Sequence, residues 1–219
     1  MTASAVARPA EVALSDIRLS WKQGRAALLD HFGQHPQQVT PLLHGLTRLA
    51  DQTLQTLWTT SGMPPDAALI AVGGYGRGEL FPFSDIDLLL LLEQTQGSNA
   101  AIDASASGFI TACWDIGLEI GASVRTIEAC IDEADKDITV QTALLESRFL
   151  CGNRALADSL NRAFFAHLDA RAFFQAKMRE QQQRHLKFED TPYALEPNCK
   201  ESPGGLRDQI GRASCRERV

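Results

Sequence analysis

The chain has 219 residues, of which 44% are hydrophobic, and its formal net charge at pH 7 is −6. This length suits one good-sized domain or a domain with a helical appendage, and the apolar share is typical of a soluble globular protein. Because the net charge is negative and no block of Lys and Arg occurs, the sequence argues against nucleic-acid binding by phosphate neutralisation. No stretch approaches the roughly 20 apolar residues that span a bilayer, so no membrane association is expected.

The cysteines indicate a reducing compartment. They are odd in number, widely spaced and form no Cys-x-x-Cys pair, a pattern that favours a cytoplasmic protein over a disulfide or zinc framework. The N-terminal residues also lack the sustained apolar core of a secretory signal. The cysteines are Cys113, Cys130, Cys151, Cys199 and Cys215.

The N-terminal quarter is predicted to be helical. Leucines recur at helical spacing through residues 11–58, and a break near residues 33–41 divides the segment into two helices. The Ser-Gly-Met-Pro-Pro cluster at residues 61–65 ends this helical part. A further helix is expected at residues 98–116.

Three segments predict the strands of one small sheet. Residues 67–72 form a short apolar run, and residues 86–92 are so continuously apolar that they favour a buried central strand. Residues 117–126 alternate, which indicates a half-buried strand with a polar face. The polar face would carry Glu119, Gly121, Ser123 and Arg125.

Helices return after the third predicted strand, at residues 137–149 and, with an interruption, at residues 154–187. The fold class expected is α/β (α+β), with a small mixed sheet flanked by helical segments. We expect an N-terminal helical segment at residues 1–61, an α/β core at residues 62–130 and a helical segment at residues 131–208.

The chemistry is concentrated in a glycine-rich stretch, GGYGRGEL at residues 73–80, followed by SDID at residues 84–87. Side chains at i and i+2 of a strand share a face, so Asp85 and Asp87 would project together and could hold magnesium. Glycines let the backbone approach a phosphate, and Arg77 could add a charge-assisted contact. Alone, the glycines favour a tight turn and the aspartates a solvated strand start. Their joint occurrence between apolar strands favours a nucleotide site.

Other phosphate-binding motifs do not fit this stretch. Gly73 and Gly78 have the spacing of a P-loop, but Glu79 stands where that motif requires Lys. Glu79 also replaces the third glycine of the dinucleotide-binding fingerprint. Neither motif is present.

The segment GGYGRGELFPFSDIDLLLLL resembles the signature of the DNA polymerase beta-type nucleotidyltransferases. Together with WDIGLEIGASVRT and EPNCKESPGGLRD, it is similar to the amino-terminal part of the bacterial PII uridylyltransferase family, over about residues 10–208. The resemblance implies a polymerase beta-like nucleotidyltransferase domain. It also implies transfer of UMP from UTP to a tyrosine of the nitrogen-regulatory protein PII, with magnesium as cofactor and release of pyrophosphate.

The resemblance also assigns the site residues. Asp85 and Asp87 would be the catalytic residues and the metal ligands. A third ligand is expected on a later strand, where Glu119 is the candidate, although Gly121 or Ala122 stands where related adenylyltransferases carry Asp. Glu119 is otherwise a solvated strand residue or a partner of Arg125. The candidate nucleotide-binding residues are Gly73, Gly74, Arg77, Ser84 and Arg125.

Two later cations leave alternatives open. Lys200 and Arg207, around the Ser-Pro-Gly-Gly turn, would either reach phosphate or stand as exposed loop cations. The family enzyme also removes UMP through a histidine-aspartate domain, but none of the five histidines here is followed by Asp. We therefore expect a fragment that carries the transferase half, with residues 209–219 as a non-native tail.

Two other functions remain open on the sequence. A related adenylyltransferase acting on another protein, such as glutamine synthetase, would share the same loop and aspartates. A regulatory module that binds nucleotide without turnover would share them too.

Overall fold

The structure is a computed structural model that describes residues 13–93, 100–188 and 198–208. The expected non-native tail at residues 209–219 lies outside the described residues. Within the described ranges, no helix combines the length and the apolar character needed to cross a membrane.

The two predicted N-terminal helices are confirmed. Helix α1 spans Leu14–Gln34 and α2 spans Val39–Thr60. The helical conformation is interrupted between them, near the predicted position. Helix α1 packs against α2. The leucines of α2 recur at helical spacing and therefore form an apolar stripe along one side of the helix. This stripe packs into the core that also contains residues of β1 and β2. Three of its side chains are almost fully buried: Leu46, Leu54 and Leu57.

A four-stranded mixed sheet forms the centre of the fold, in the order β3-β2-β1-β4. Strand β1 pairs antiparallel with both β2 and β4, whereas β2 and β3 run parallel. The strands are β1 (Ala68–Ala71), β2 (Ile86–Leu91), β3 (Ile120–Arg125) and β4 (Arg148–Gly152). Strand β2 is therefore interior, as its apolar run predicts.

Helices cover both faces of the sheet, so the side chains of β2 alternate between two apolar cores. Leu88 and Leu90 join the core that contains α2 and α4 (Ala100–Asp115). Leu89 and Leu91 join a second core on the opposite face. That second core is formed by α5 (Ile127–Lys136), α6 (Ile138–Leu145), α7 (Arg154–His167) and α8 (Ala170–Leu186).

The structure corrects the predicted helix at residues 137–149. Helix α6 ends at Leu145, and Arg148 begins β4, which pairs with β1. The sheet therefore extends beyond residue 130, where the α/β core was expected to end. The apolar residues of β4 are too few to separate a strand from a helix end by periodicity, and only pairing with distant β1 makes them a strand.

Strand β3 is more exposed than predicted. Because it lies at the edge of the sheet, Val124 remains 40% exposed on the face expected to be apolar. The interrupted helix predicted at residues 154–187 is confirmed as α7 and α8.

Candidate active site

The glycine-rich stretch begins with a single helical turn, α3 (Gly73–Gly76), directly after β1. Gly73 has a φ of 58°, a left-handed conformation that glycine adopts without steric cost. Just before it, the Val72 N–H donates to the carbonyl of Asp87 at 3.1 Å. The helical turn α3 therefore starts beside Asp87, one of the two predicted metal ligands.

The carboxylate of Asp87 lies between two glycines. A Cβ atom on Gly73 would stand 3.2 Å from Asp87 Oδ2, and one on Gly121 would stand 2.9 Å from Oδ1. The parallel register of β2 and β3 pairs Asp87 with Gly121 directly. With no side chain from either glycine, the backbone approaches the carboxylate from both sides.

The two aspartates interact electrostatically. Asp87 is half-buried and Asp85 is exposed. Burial raises the pKa of Asp87, and the negative charge of Asp85 raises it further. The i, i+2 spacing predicts that the two carboxylates share a face. A hard divalent cation suits such a pair because it neutralises both charges and accepts oxygen ligands.

Glu119, the candidate third ligand, lies near Asp85. Glu119 is exposed and lines, with Asp85, a hollow bordered by Phe83 and Trp114. Among the described residues, no three His, Cys, Asp or Glu side chains are grouped so that they could hold a metal ion. The assignment of Glu119 as a ligand stays a prediction.

Arg77 lies next to the glycine turn and is held by a buried acid. Its Nη1 donates to Glu146 Oε2 at 2.6 Å, and the Glu146 side chain is only 5% exposed. A Cβ atom on Gly74 would stand 3.6 Å from Arg77 Nη2. The structure therefore places the guanidinium of Arg77 next to Gly74 of the glycine-rich turn. Its contact with nucleotide stays a prediction.

Helices α1 and α2 hold the segment that joins the glycines to the aspartates. The Leu80 N–H donates to Thr47 Oγ1 at 3.0 Å, and Arg25 Nη2 donates to the carbonyl of Pro82 at 2.7 Å. Ser84 is exposed and lines a cavity of about 430 Å³ between this segment and α1. Neither contact was predicted from the sequence, although Thr47, a buried polar residue within the apolar stripe of α2, was a usable signal.

Arg125 lies far along the sheet from Asp87, and its role in nucleotide binding stays a prediction. Arg125 pairs with Leu91, at the opposite end of the strands from Asp87 and Gly121. Four residues of parallel strand separate it from the level of Gly121, roughly 13 Å. Its charge instead lies close enough to α5 to act on Cys130.

The segment at residues 198–208 attaches to α8. Arg184 Nη2 donates to Asp208 at 2.7 Å, while Arg207 Nε pairs with Glu201 at 3.1 Å. Lys200 is exposed. These contacts favour the interpretation of Lys200 and Arg207 as loop cations.

A mixed sheet that places a glycine turn against an Asp-x-Asp strand is the arrangement expected of a nucleotidyltransferase. A family model described as a nucleotidyltransferase domain matches residues 52–188, which is more than half of the chain. The chain belongs to this family. A second model, described as GlnD PII-uridylyltransferase, matches residues 172–210.

Two relatives indicate which kind of nucleotidyltransferase the chain is similar to. The chain is 52% identical over 205 residues to a bifunctional uridylyltransferase/uridylyl-removing enzyme of Burkholderia orbicola strain AU 1054, covering 94% of this chain and 23% of that protein. It is 54% identical over 187 residues to the enzyme of the same name from Ralstonia nicotianae, covering 85% of this chain and 21% of that protein. The chain thus spans less than a quarter of the length of these relatives. Both the predicted family and the predicted fold class are confirmed.

Proposed function

We propose that this chain transfers UMP from UTP to a tyrosine hydroxyl of the nitrogen-regulatory protein PII and releases pyrophosphate. The observation that carries the proposal is the position of the Asp87 carboxylate against Gly73, the first residue of the glycine-rich turn α3. The relatives named uridylyltransferase support the choice of reaction.

Most of the predicted site residues have a role in this proposal. Asp85 and Asp87 would hold magnesium, which prefers carboxylate and phosphate oxygens. When bound, this ion would stabilise the charge that develops on the leaving pyrophosphate. Gly73 and Gly74 would accommodate the triphosphate through their backbone, because α3 begins at Gly73 and the first N–H groups of a helical turn are available to an anion. Ser84, which is exposed next to Asp85, would join them in holding the triphosphate.

The chain's own part in the reaction is to bind and orient. The tyrosine oxygen of PII forms a bond to the α-phosphorus of UTP, and the bond from that phosphorus to the bridging oxygen breaks. The electron pair leaves on pyrophosphate, and the tyrosine proton passes to solvent. Arg77, fixed beside Gly74 by Glu146, would contact the phosphates of the leaving group.

The remaining predictions fit the same proposal. Glu119 borders the same hollow as Asp85, so it would complete the ligand set of an ion held there. UTP and PII as substrate and partner imply a cytoplasmic enzyme.

Labelling of PII tests the proposal. PII is incubated with the chain, magnesium and UTP labelled at the α-phosphate, and incorporated label is measured. Labelling is expected with the unaltered chain and with the Asp103→Asn control on α4, and is expected to disappear in Asp85→Asn and Asp87→Asn. Labelling that persists in both site variants would contradict the assignment. Label from ATP in place of UTP would favour an adenylyltransferase instead.

One observation favours a second candidate, a module that binds nucleotide without turnover. Gly121 occupies the strand position directly beside Asp87, and within the described ranges no third acidic side chain completes a metal-binding group there. Calorimetry that shows magnesium-dependent UTP binding, without pyrophosphate release when PII is added, would support this candidate.

A further inference from the structure

The glycine turn cannot hold its own conformation. Helix α3 consists of four residues, of which three are glycine. Short helices are unstable because the first turn fixes several residues for one hydrogen bond, and glycine adds to this entropic cost. Contacts with the rest of the protein must therefore fix the turn.

Tyr75 supplies the main contact of this kind. Its side chain is only 1% exposed, and its hydroxyl donates to Asp51 Oδ1 of α2 at 2.5 Å. A buried hydroxyl needs such an acceptor, because leaving it unpaired is costly. Burial, and then the negative charge of Asp51, raise the pKa of Tyr75 above its ordinary range, so the phenol remains a donor.

Arg148, at the start of β4, completes the network. Its Nη1 and Nη2 donate to the two oxygens of Asp51 at 2.8 and 3.0 Å, in the bidentate geometry of strong ion pairs. Nη2 also lies 3.4 Å from the carbonyl oxygen of Tyr75, and the guanidinium is 5.3 Å from the centre of the Tyr75 ring. Asp51 therefore joins α2, α3 and β4 at one point.

This network is two residues from the candidate active site. Tyr75 lies in the same helical turn as Gly73, which stands against Asp87. On its other side, Gly76 packs so closely on the carbonyl of Glu146 that an added Cβ would overlap it at 1.8 Å. Because Tyr75 and Gly73 belong to one short turn that is held by contacts at Tyr75 and Gly76, a shift of Tyr75 would also displace Gly73.

We propose that Asp51 is a positioning residue of the nucleotide site, which acts through Tyr75 and Arg148 to hold residues 73–76 in the conformation that faces Asp87. Asp51 itself does not contact the reacting atoms in this account. Its effect on nucleotide binding rests on the proposed function, whereas its effect on the order of the turn does not.

Hydrogen exchange on the full chain tests the ordering. In Asp51→Asn, the hydrogen-bonded amides of Gly76 and Gly78 are expected to exchange about 10-fold faster, while amides of residues 86–91 keep their rates. Asp158→Asn is the matched control, because it removes one carboxylate charge from the exposed ion pair with Arg154 on α7. Unchanged exchange at these two glycine amides, or an equal rise throughout the chain, would overturn the proposal.

Tyr75→Phe keeps the proposal testable if Asp51→Asn does not fold. It removes only the hydroxyl and leaves Asp51 paired with Arg148, so a smaller rise confined to the amides of Gly76 and Gly78 is expected. No rise in this variant would count against the proposal.

Calorimetry separates this inference from the proposed function. If the unaltered chain binds magnesium-UTP, Asp51→Asn is expected to weaken binding about 10-fold and Asp158→Asn to leave it unchanged. Equal affinities of Asp51→Asn and the unaltered chain would overturn the role in the nucleotide site. If the unaltered chain binds no UTP, the proposed function fails, and the exchange data alone decide whether Asp51 orders the turn.

Discussion

A Cβ atom on Gly73 would stand 3.2 Å from Oδ2 of Asp87, although the two residues belong to different elements on opposite sides of a chain reversal. The antiparallel pairing of β1 and β2 creates this approach, because the end of β1 lies beside the start of β2. A phosphate held by the turn and a cation held by the carboxylate would therefore be neighbours.

Gly73→Ala is expected to damage the site more than the fold. The left-handed φ of 58° makes alanine cost about 1–2 kcal/mol of unfolding free energy, and the new methyl group would press on Asp87. Gly62→Ala is the matched control, with a φ of 61° and nothing within 4 Å of its Cβ position. Denaturant unfolding should give similar losses for both variants, but only Gly73→Ala should weaken magnesium-UTP binding. Equal binding by the two variants would contradict the site.

Gly76→Ala is expected to be among the most destabilising single changes. Its Cβ would overlap the backbone carbonyl of Glu146, which cannot move without displacing α6, so a loss of at least about 3 kcal/mol is expected. Gly108→Ala, in the exposed part of α4 with open space around it, should instead stabilise the protein by about 0.5–1 kcal/mol. Thermal unfolding of both variants checks the difference, and similar effects would show that the turn does not pack as described.

Glu146→Gln removes the buried charge that holds Arg77. Because Glu146 is nearly fully buried, its charge-assisted hydrogen bond at 2.6 Å is expected to contribute about 1–3 kcal/mol. Glu133→Gln breaks the exposed pair with Lys136 and should leave the unfolding free energy nearly unchanged. Denaturant unfolding at neutral pH distinguishes the two. A loss in Glu146→Gln no larger than in the control would show that Arg77 is not anchored by this acid.

The buried phenol of Tyr75 leads us to expect that the free energy of unfolding decreases at alkaline pH. Its pKa in the folded state is raised, so the unfolded chain loses the phenolic proton first, from about pH 10 upward. The contribution of Tyr75 is therefore complete below that pH and is lost as the pH rises further. Unfolding free energies between pH 8 and 11 should fall more steeply for the unaltered chain than for Tyr75→Phe, which has no proton to lose. Parallel pH profiles would contradict the buried hydrogen bond to Asp51.

The sequence predicted the elements whose patterns are local. The continuous apolar run of β2 and the leucine spacing of α2 were enough to predict both elements. The i, i+2 spacing of Asp85 and Asp87 predicts that they share a face. Strand β4 was missed because its identity depends on pairing with β1, about 80 residues earlier in the chain.

The contacts that hold the site were less predictable for the same reason. Asp51 and Arg148 lie 97 residues apart, and no local pattern marks them as partners. Arg125 was assigned by its place on a polar strand face, but the parallel register puts it at the far end of that face from Asp87. The face on which a strand residue lies can be predicted from the alternation of polar and apolar residues. Its position along the sheet can be predicted only when the neighbouring strand and the pairing register are known.

The most direct test of the central claim, that Asp85, Asp87 and the glycine turn form a metal-dependent nucleotide site, is calorimetric titration of the chain with UTP, with and without magnesium. The account predicts binding that requires magnesium in the unaltered chain and is lost in Asp85→Asn and Asp87→Asn, while both variants keep the unfolding transition of a folded protein. Binding that is independent of magnesium, or that persists in both variants, would contradict it.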